Sequence, residues 1–129
     1  GITFCTGSLS GRHDNDLSYM AARFGERIHF AHLRNTRYTG YKSFYESGHL
    51  YGSLDMPAIV EALMREQRRR VAAGRKDIRI PVRPDHGIRI LNDLDCDCYN
   101  IGYPLNGRLR GIAELDGLMV GIDRMLSRE

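Results

Sequence analysis

The sequence has 129 residues, of which 42% are hydrophobic and 27% charged, a composition that is ordinary for one soluble globular domain. The formal charge of +3 arises from 19 basic against 16 acidic residues, without the basic stripe and interleaved aromatics of a nucleic-acid-binding surface. No apolar stretch approaches the roughly 20 residues that cross a bilayer. We therefore expect neither a nucleic-acid partner nor a membrane segment.

The cysteines and the first residues bear on the cellular compartment. There are three cysteines, and Cys96 and Cys98 are separated by one residue, which is not the pattern of a disulfide framework. The chain opens at Gly1 without a charged-then-apolar leader, and a start without methionine looks like an interruption. We expect a reducing, cytoplasmic setting.

The first predicted unit is a strand over residues 1–5, a turn rich in Gly and Ser, and a helix. Within residues 14–16 two aspartates and an asparagine offer N-cap oxygens for that helix, and Gly25 should end it. The turn lacks the Lys-Ser/Thr ending of a phosphate loop and the Gly-x-Ser-x-Gly spacing of a nucleophile elbow. It therefore predicts neither a nucleotide site nor a serine nucleophile.

The second predicted unit is a strand over residues 27–33, a long connection over residues 34–55, and a helix that begins near Met56 and ends at Gly74. The connection is rich in Tyr, Gly and Ser, and a loop of that length in a compact domain is usually functional. The helix carries apolar residues at the spacing of one buried stripe, and Pro57 suits its first turn.

The third predicted unit is a strand over residues 78–84, a glycine-rich connection and a final helix over residues 112–126. The connection contains Gly102, Gly107 and Gly111. Alternating strands and helices predict an α/β fold with a parallel sheet, and residues 1–129 form one architectural piece. Three such units cannot close a barrel, so the piece is expected to need the rest of a larger domain. Doubly wound and barrel folds both stay open at this point.

At the C-terminal end of each predicted strand lies a residue type that can bind metal or move protons: Cys5, His32 and the pair Asp85 and His86. Strand ends are where ligands gather in parallel α/β folds. Each residue also has an ordinary interpretation, because a lone cysteine is often a small buried hydrophobe and a lone aspartate often a turn cap. Their joint occurrence favours a metal site.

Two further histidine and cysteine groups do not join this set. The period of two along a strand places His29 on the opposite face from His32, where a wall histidine is the better interpretation. Cys96-Asp97-Cys98 lacks a second Cys or His pair at zinc-finger spacing, so these residues are expected to be loop.

At these residues the chain resembles the mannonate dehydratase family. The most specific segments are residues 27–35 (RIHFAHLRN) and 80–87 (IPVRPDHG), with residues 3–8 (TFCTGS) and 102–104 (GYP) in support. The resemblance runs over essentially the whole chain. It implies a (β/α)₈ barrel of the xylose-isomerase-like superfamily, with this chain as about strands six to eight and their helices, and dehydration of D-mannonate to 2-keto-3-deoxy-D-gluconate in hexuronate catabolism.

The resemblance also implies a divalent metal held by Cys5, His32 and Asp85, with Mn²⁺ expected and Fe²⁺ as the alternative. A further histidine ligand is expected from a strand upstream of Gly1. A soft thiolate ligand would by itself favour zinc or iron. The ligand chemistry and the family resemblance therefore indicate different metals. Ser53 stands where the family pattern suggests an acidic residue.

The chemistry of dehydration assigns roles to further residues. His86 follows Asp85 but is expected to point off the opposite face, which suits proton transfer, with Tyr103 as its partner and their order of action open. Three residues are expected to hold the substrate carboxylate and hydroxyls: Arg34, Asn35 and Arg83.

Two alternatives stand beside the dehydratase. A sugar isomerase of the xylose-isomerase type would use a carboxylate-rich metal site with a nearby Lys, which the cysteine and the residues 83–86 argue against. A truncated, non-catalytic module fits the short length.

The expected partners are a sugar-acid substrate and the remainder of the barrel, and the sequence leaves a homo-oligomer open. Alone, the chain is expected to be inactive and poorly stable, with the inward-facing Phe4, Phe30 and Val82 uncovered.

Overall fold

The computed structural model describes residues 1–96 and 103–129 as an α/β arrangement. The strands are β1 (Ile2–Cys5), β2 (Ile28–Leu33), β3 (Thr36–Gly40), β4 (Ser43–Glu46) and β5 (Val82–Pro84). The α-helices are α1 (Thr6–Leu9), α2 (Leu17–Phe24), α3 (Met56–Ala72) and α4 (Leu105–Leu126). Asp97, Cys98 and Gly102, which the sequence predicts to be in connecting loops, lie outside the described residues.

The three strands predicted from the sequence form one parallel sheet in the order β1-β2-β5. The α/β class with a parallel sheet is therefore confirmed. Strand β5 has three residues rather than the seven expected, and it begins at Val82. None of the helices within the described ranges is both long and apolar enough to cross a membrane.

Helices α2 and α3 begin at the N-cap residues that the sequence predicts. The carboxylate of Asp16 accepts the Tyr19 N–H at 2.9 Å at the start of α2, and Asp55 accepts the Ala58 N–H at 3.0 Å at the start of α3. Beyond the end of α3, Gly74 adopts a φ of +65°, a conformation that favours glycine. The first two long helices thus begin where the sequence indicates.

The sheet has one face covered by helices. The register aligns Phe4, Ala31 and Val82, and Phe4 is 2% exposed in a core built with α2, α3 and α4. Placing Phe4 and Val82 on the inward face was wrong, because the alternation of side chains directs them to the helices. Of the three residues named, Phe30 belongs to the opposite face, where it pairs with the exposed Thr3.

The connection over residues 34–55 contains an antiparallel hairpin of β3 and β4, which the sequence analysis missed. The final helix begins at Leu105 rather than Ile112, so Gly107 and Gly111 belong to α4 and not to a loop. A Cβ on Gly107 would collide with the Ile88 carbonyl, and one on Gly111 with the His49 ring. These glycines permit close packing of the helix.

Candidate active site

The ends of the three parallel strands bring the predicted residues to one edge of the sheet. Cys5 is the last residue of β1 and aligns with His32 of β2, which in turn aligns with Arg83 of β5. Asp85 follows directly, and its N–H donates to the Leu33 carbonyl at 3.1 Å. The ladder therefore holds all of these residues in register.

Cys5, His32 and Asp85 are neighbours in a row. The Cys5 sulfur lies 3.4 Å from His32 Nδ1, and His32 Nε2 lies 3.2 Å from Asp85 Oδ1. His32 thus contacts Cys5 through Nδ1 and Asp85 through Nε2. Within residues 1–96 and 103–129, no three His, Cys, Asp or Glu side chains are grouped as a metal site.

The atoms in this row nevertheless suit a metal. His32 Nε2 and Asp85 Oδ1 are both buried and, although close, neither makes a hydrogen bond of acceptable geometry within the described part of the chain. Buried polar atoms without a partner are costly and call for one. Thiol, imidazole and carboxylate are donors of the kind that divalent transition metals take.

Serine hydrogen bonds fix the orientation of the cysteine. Ser8 donates to the Cys5 sulfur from its N–H at 3.4 Å and from its hydroxyl at 3.2 Å. Because Cys5 also forms the N-cap of the short helix α1, its side chain is held at the strand end.

His86 and Tyr103 lie together beside Asp85. His86 Nε2 is 3.1 Å from Asp85 Oδ1, and the His86 and Tyr103 rings are 4.4 Å apart between centroids and tilted by 51°. The expectation that His86 points away from Asp85 was wrong, because β5 ends at Pro84 and its alternation does not extend further. The structure does bring His86 and Tyr103 together.

Arg34 lies in the site but is paired with carboxylates. Its Nε donates to Glu46 Oε1 at 2.8 Å, its Nη2 contacts the same oxygen, and its Nε lies 3.4 Å from Asp85 Oδ2. The hydrogen bond to Glu46 is the main cause that holds the pKa of Arg34 above its ordinary value. This pairing does not support direct substrate binding by Arg34.

Asn35 lies between strands β2 and β3, where its side chain is buried. It is 1% exposed, its amide nitrogen donates to the carbonyls of His49 and Leu54, and its oxygen accepts the Leu54 N–H. Both amide hydrogens are used, so the placement does not support substrate contact. Ser53 also secures this loop, since its hydroxyl accepts the Tyr38 N–H at 3.0 Å.

Arg83 is exposed beside the row. Among the described residues its guanidinium has no hydrogen bond or ion pair. Of the three residues expected to hold substrate, Arg83 is the one whose side-chain polar group has no partner in the described part of the chain.

Two residues that sequence reasoning gave no role lie close to this site. Glu46 ends strand β4 and pairs with Arg34. His49 is 2% exposed, its Nε2 is buried without a hydrogen bond in the described ranges, and burial lowers its pKa against the raising effect of neighbouring carboxylates. Only recognition of the hairpin from its alternating residues would have found Glu46.

A parallel α/β sheet with a cysteine, histidines and an aspartate in contact at its strand ends has the arrangement of an α/β enzyme active site. The family model for D-mannonate dehydratase (UxuA) matches residues 1–129. The chain belongs to the D-mannonate dehydratase family. This membership favours the dehydratase over the sugar isomerase considered from the sequence.

Curated relatives agree with this family. The chain is 54% identical over 130 residues to Mannonate dehydratase 1 of Agrobacterium fabrum, covering 98% of this chain and 31% of the relative. It is 46% identical over 123 residues to Mannonate dehydratase of Saccharophagus degradans, covering 95% of this chain and 31% of the relative. The chain thus spans about a third of the length of these relatives.

Proposed function

We propose that this chain forms part of a hydro-lyase that converts D-mannonate to 2-keto-3-deoxy-D-gluconate in the cytoplasm, in hexuronate catabolism. The observation that carries the proposal is the contact row from Cys5 through His32 to Asp85 and His86 at the strand ends of a family member. The chain would supply strands six to eight of a (β/α)₈ barrel. The remaining strands, with a further histidine ligand, would complete the site.

Cys5, His32 and Asp85 would hold the divalent cation, with Mn²⁺ favoured and Fe²⁺ as the alternative. When bound, the cation would act as a Lewis acid that neutralises charge developing on the substrate carboxylate. The support is the burial of His32 Nε2 and Asp85 Oδ1, which face each other at 3.2 Å without forming a hydrogen bond among the described residues. A bound cation would satisfy both atoms.

His86 and Tyr103 would move the protons of the reaction. Dehydration removes the proton next to the carboxylate and expels the neighbouring hydroxyl as water, so it needs one base and one acid. The two rings lie against each other, and Asp85 holds His86 in place. The exposed Arg83 would bind the carboxylate or hydroxyls of the substrate, since its guanidinium is available.

The test uses a chimera, defined as Mannonate dehydratase 1 of Agrobacterium fabrum with residues 1–129 of this chain in place of its matching segment. We expect manganese-dependent formation of the 2-keto-3-deoxy product from D-mannonate, and none from the same chimera with Asp85→Asn. A folded, manganese-loaded chimera that forms no product, beside an active unaltered relative, would refute the proposed reaction.

A further inference from the structure

One guanidinium, that of Arg34, is shared between two carboxylates at the edge of the site. Both Nε and Nη2 of Arg34 contact Glu46 Oε1, whereas Asp85 is approached by Nε alone, at 3.4 Å from Oδ2. The division is unequal. Glu46 receives the shorter contacts, and Asp85 receives one long ion pair.

The unequal sharing of Arg34 between Glu46 and Asp85 affects Asp85 Oδ1, the carboxylate oxygen that faces His32. Asp85 Oδ1 faces the Nε2 atoms of His32 and His86 at 3.2 Å and 3.1 Å, whereas Oδ2 faces Arg34. A guanidinium prefers to bind a carboxylate with two parallel N–H donors, one to each oxygen. An Arg34 released from Glu46 would be free to engage both oxygens of Asp85 in that way, and its guanidinium would then compete with a metal ion for Oδ1.

Glu46 and Asp85 compete for the guanidinium of Arg34, and their partial burial strengthens this competition. The side chain of Asp85 is 4% exposed, that of Arg34 is 25% exposed and that of Glu46 is 28% exposed, so solvent screens the three charges only partly. The Arg34 guanidinium carbon also lies 5.8 Å from the centroid of the Phe44 ring on the same hairpin. The hairpin therefore contacts Arg34 through both Glu46 and Phe44.

We propose that Glu46 is a positioning residue that holds Arg34 away from full pairing with Asp85, and so keeps Asp85 Oδ1 available as a metal ligand. This inference rests on the proposed metal site. It gives the β3–β4 hairpin a function in the site, although none of its residues belongs to the ligand row.

The experiment measures the Mn²⁺ dissociation constant of the metal-free chimera by electron paramagnetic resonance of free Mn²⁺. Glu46→Gln removes the charge with little change of shape. Glu61→Gln is the matched control, since Glu61 lies on α3 and its partner is Arg65. We expect Glu46→Gln to weaken Mn²⁺ binding by about tenfold or more, the usual scale for a residue that supports a metal ligand, and Glu61→Gln to leave it unchanged.

A double-mutant cycle separates positioning from a general loss of charge or folding. In an Arg34→Met background the guanidinium is absent, so we expect Glu46→Gln to change the dissociation constant by no more than about twofold. An equal loss in both backgrounds would overturn the inference, as would unchanged binding in Glu46→Gln alone. Thermal melts of all variants identify any that do not fold.

Turnover of D-mannonate in the same samples reports separately on the proposed function. Normal Mn²⁺ binding and the expected cycle without product would refute the reaction and uphold the positioning role. A folded, unsubstituted chimera that binds no Mn²⁺ would overturn the inference together with the metal site.

Discussion

At the scale of single residues, Asp85 is the point on which the contacts of the site converge. Its carboxylate is 4% exposed and lies within 3.4 Å of His32, His86 and Arg34 side-chain nitrogens. A buried carboxylate is costly unless it is paired or coordinates a metal. Because it lies between His32 and His86, it would link the proposed metal site to the proposed proton transfer.

The separate roles of Asp85 and His86 can be tested in the chimera. Asp85→Ala should remove bound manganese, because it deletes a ligand. His86→Ala should lower turnover by about 10²-fold or more while leaving metal content largely intact, because it deletes a proton-transfer group. Metal analysis and product assays on both proteins check this. If His86→Ala loses metal as readily as Asp85→Ala and regains activity with excess manganese, the proton-transfer assignment is wrong.

The residues of the site differ in how far the sequence could predict them. Cys5, His32 and Asp85 lie at the C-terminal ends of strands that the apolar pattern reveals, and parallel strands bring those ends together. The pairing of Arg34 depends on Glu46, twelve residues away across a hairpin. Periodicity along one strand carries no information about that partner, so Arg34 was assigned to the substrate.

At the scale of elements, the start of α4 depends on a carboxylate from outside the helix. Pro104 at the N-cap makes no side-chain cap, and Asp93 instead accepts the N–H groups of Asn106 at 3.2 Å and Gly107 at 3.0 Å. Burial acts to raise the pKa of Asp93, but these hydrogen bonds outweigh it and lower the pKa. The carboxylate of Asp93 thus caps the first turn of α4 from outside the helix.

This arrangement predicts a pH dependence of stability. Because the folded-state pKa of Asp93 is lowered, its stabilising effect is present above the unfolded-state pKa and is lost as the pH falls through the folded-state pKa. Asp93→Asn should lower the melting temperature of the chimera at pH 7. The gap to the unsubstituted protein should narrow as the pH falls from about 5 toward 3. Melts across this range that show a constant gap would contradict the role of the charge.

Helix α3 is fastened to the start of β2 by a buried arginine. Arg70 is 0% exposed and donates to Glu66 at 2.8 Å, to the Gly25 carbonyl at 2.9 Å and to the Ile28 carbonyl at 2.6 Å. Removing Arg70 would leave the Gly25 and Ile28 carbonyls without this donor and would leave Glu66 paired with Arg69 alone.

We therefore expect Arg70→Met to lower the free energy of unfolding of the chimera by about 3–5 kcal/mol. The control is Arg69→Met, since Arg69 also pairs with Glu66 but its side chain is half exposed, and it should cost no more than about 1 kcal/mol. Urea unfolding followed by circular dichroism measures both. Equal losses in the two variants would show that burial of Arg70 is not what stabilises the junction.

The elements were predictable where a local signal marks their ends. Asp16 and Asp55 are N-caps as the sequence indicated. Helix α4 was predicted to start late because Gly107 and Gly111 are poor helix formers by propensity. They are used there for close packing against Ile88 and His49, a tertiary requirement that a local pattern does not contain.

At the scale of the whole molecule, the described fold has apolar surface that a larger barrel would cover. Leu105, Leu109 and Ile112 are 54%, 55% and 45% exposed, at the spacing of one helix face. The sheet face that bears Phe30 and Cys5 lies opposite the helical core. We predict that these surfaces, and not the buried Phe4, cause instability in the isolated chain.

The isolated 129-residue chain is therefore expected to associate, to melt without a sharp transition and to show no mannonate dehydratase activity with manganese. Sedimentation velocity, a thermal melt and the product assay test this. Turnover by a monomeric, cooperatively melting chain would show that residues 1–129 build a complete site, and would contradict the partial-barrel proposal.

The central claim is that Cys5, His32 and Asp85 bind one divalent cation. Anomalous diffraction at the manganese absorption edge, from crystals of the manganese-loaded chimera, tests it most directly. We expect one strong peak in contact with the Cys5 sulfur, one ring nitrogen of His32 and a carboxylate oxygen of Asp85. A peak at any other place, or one that lacks contact with any of these three residues, would contradict the claim.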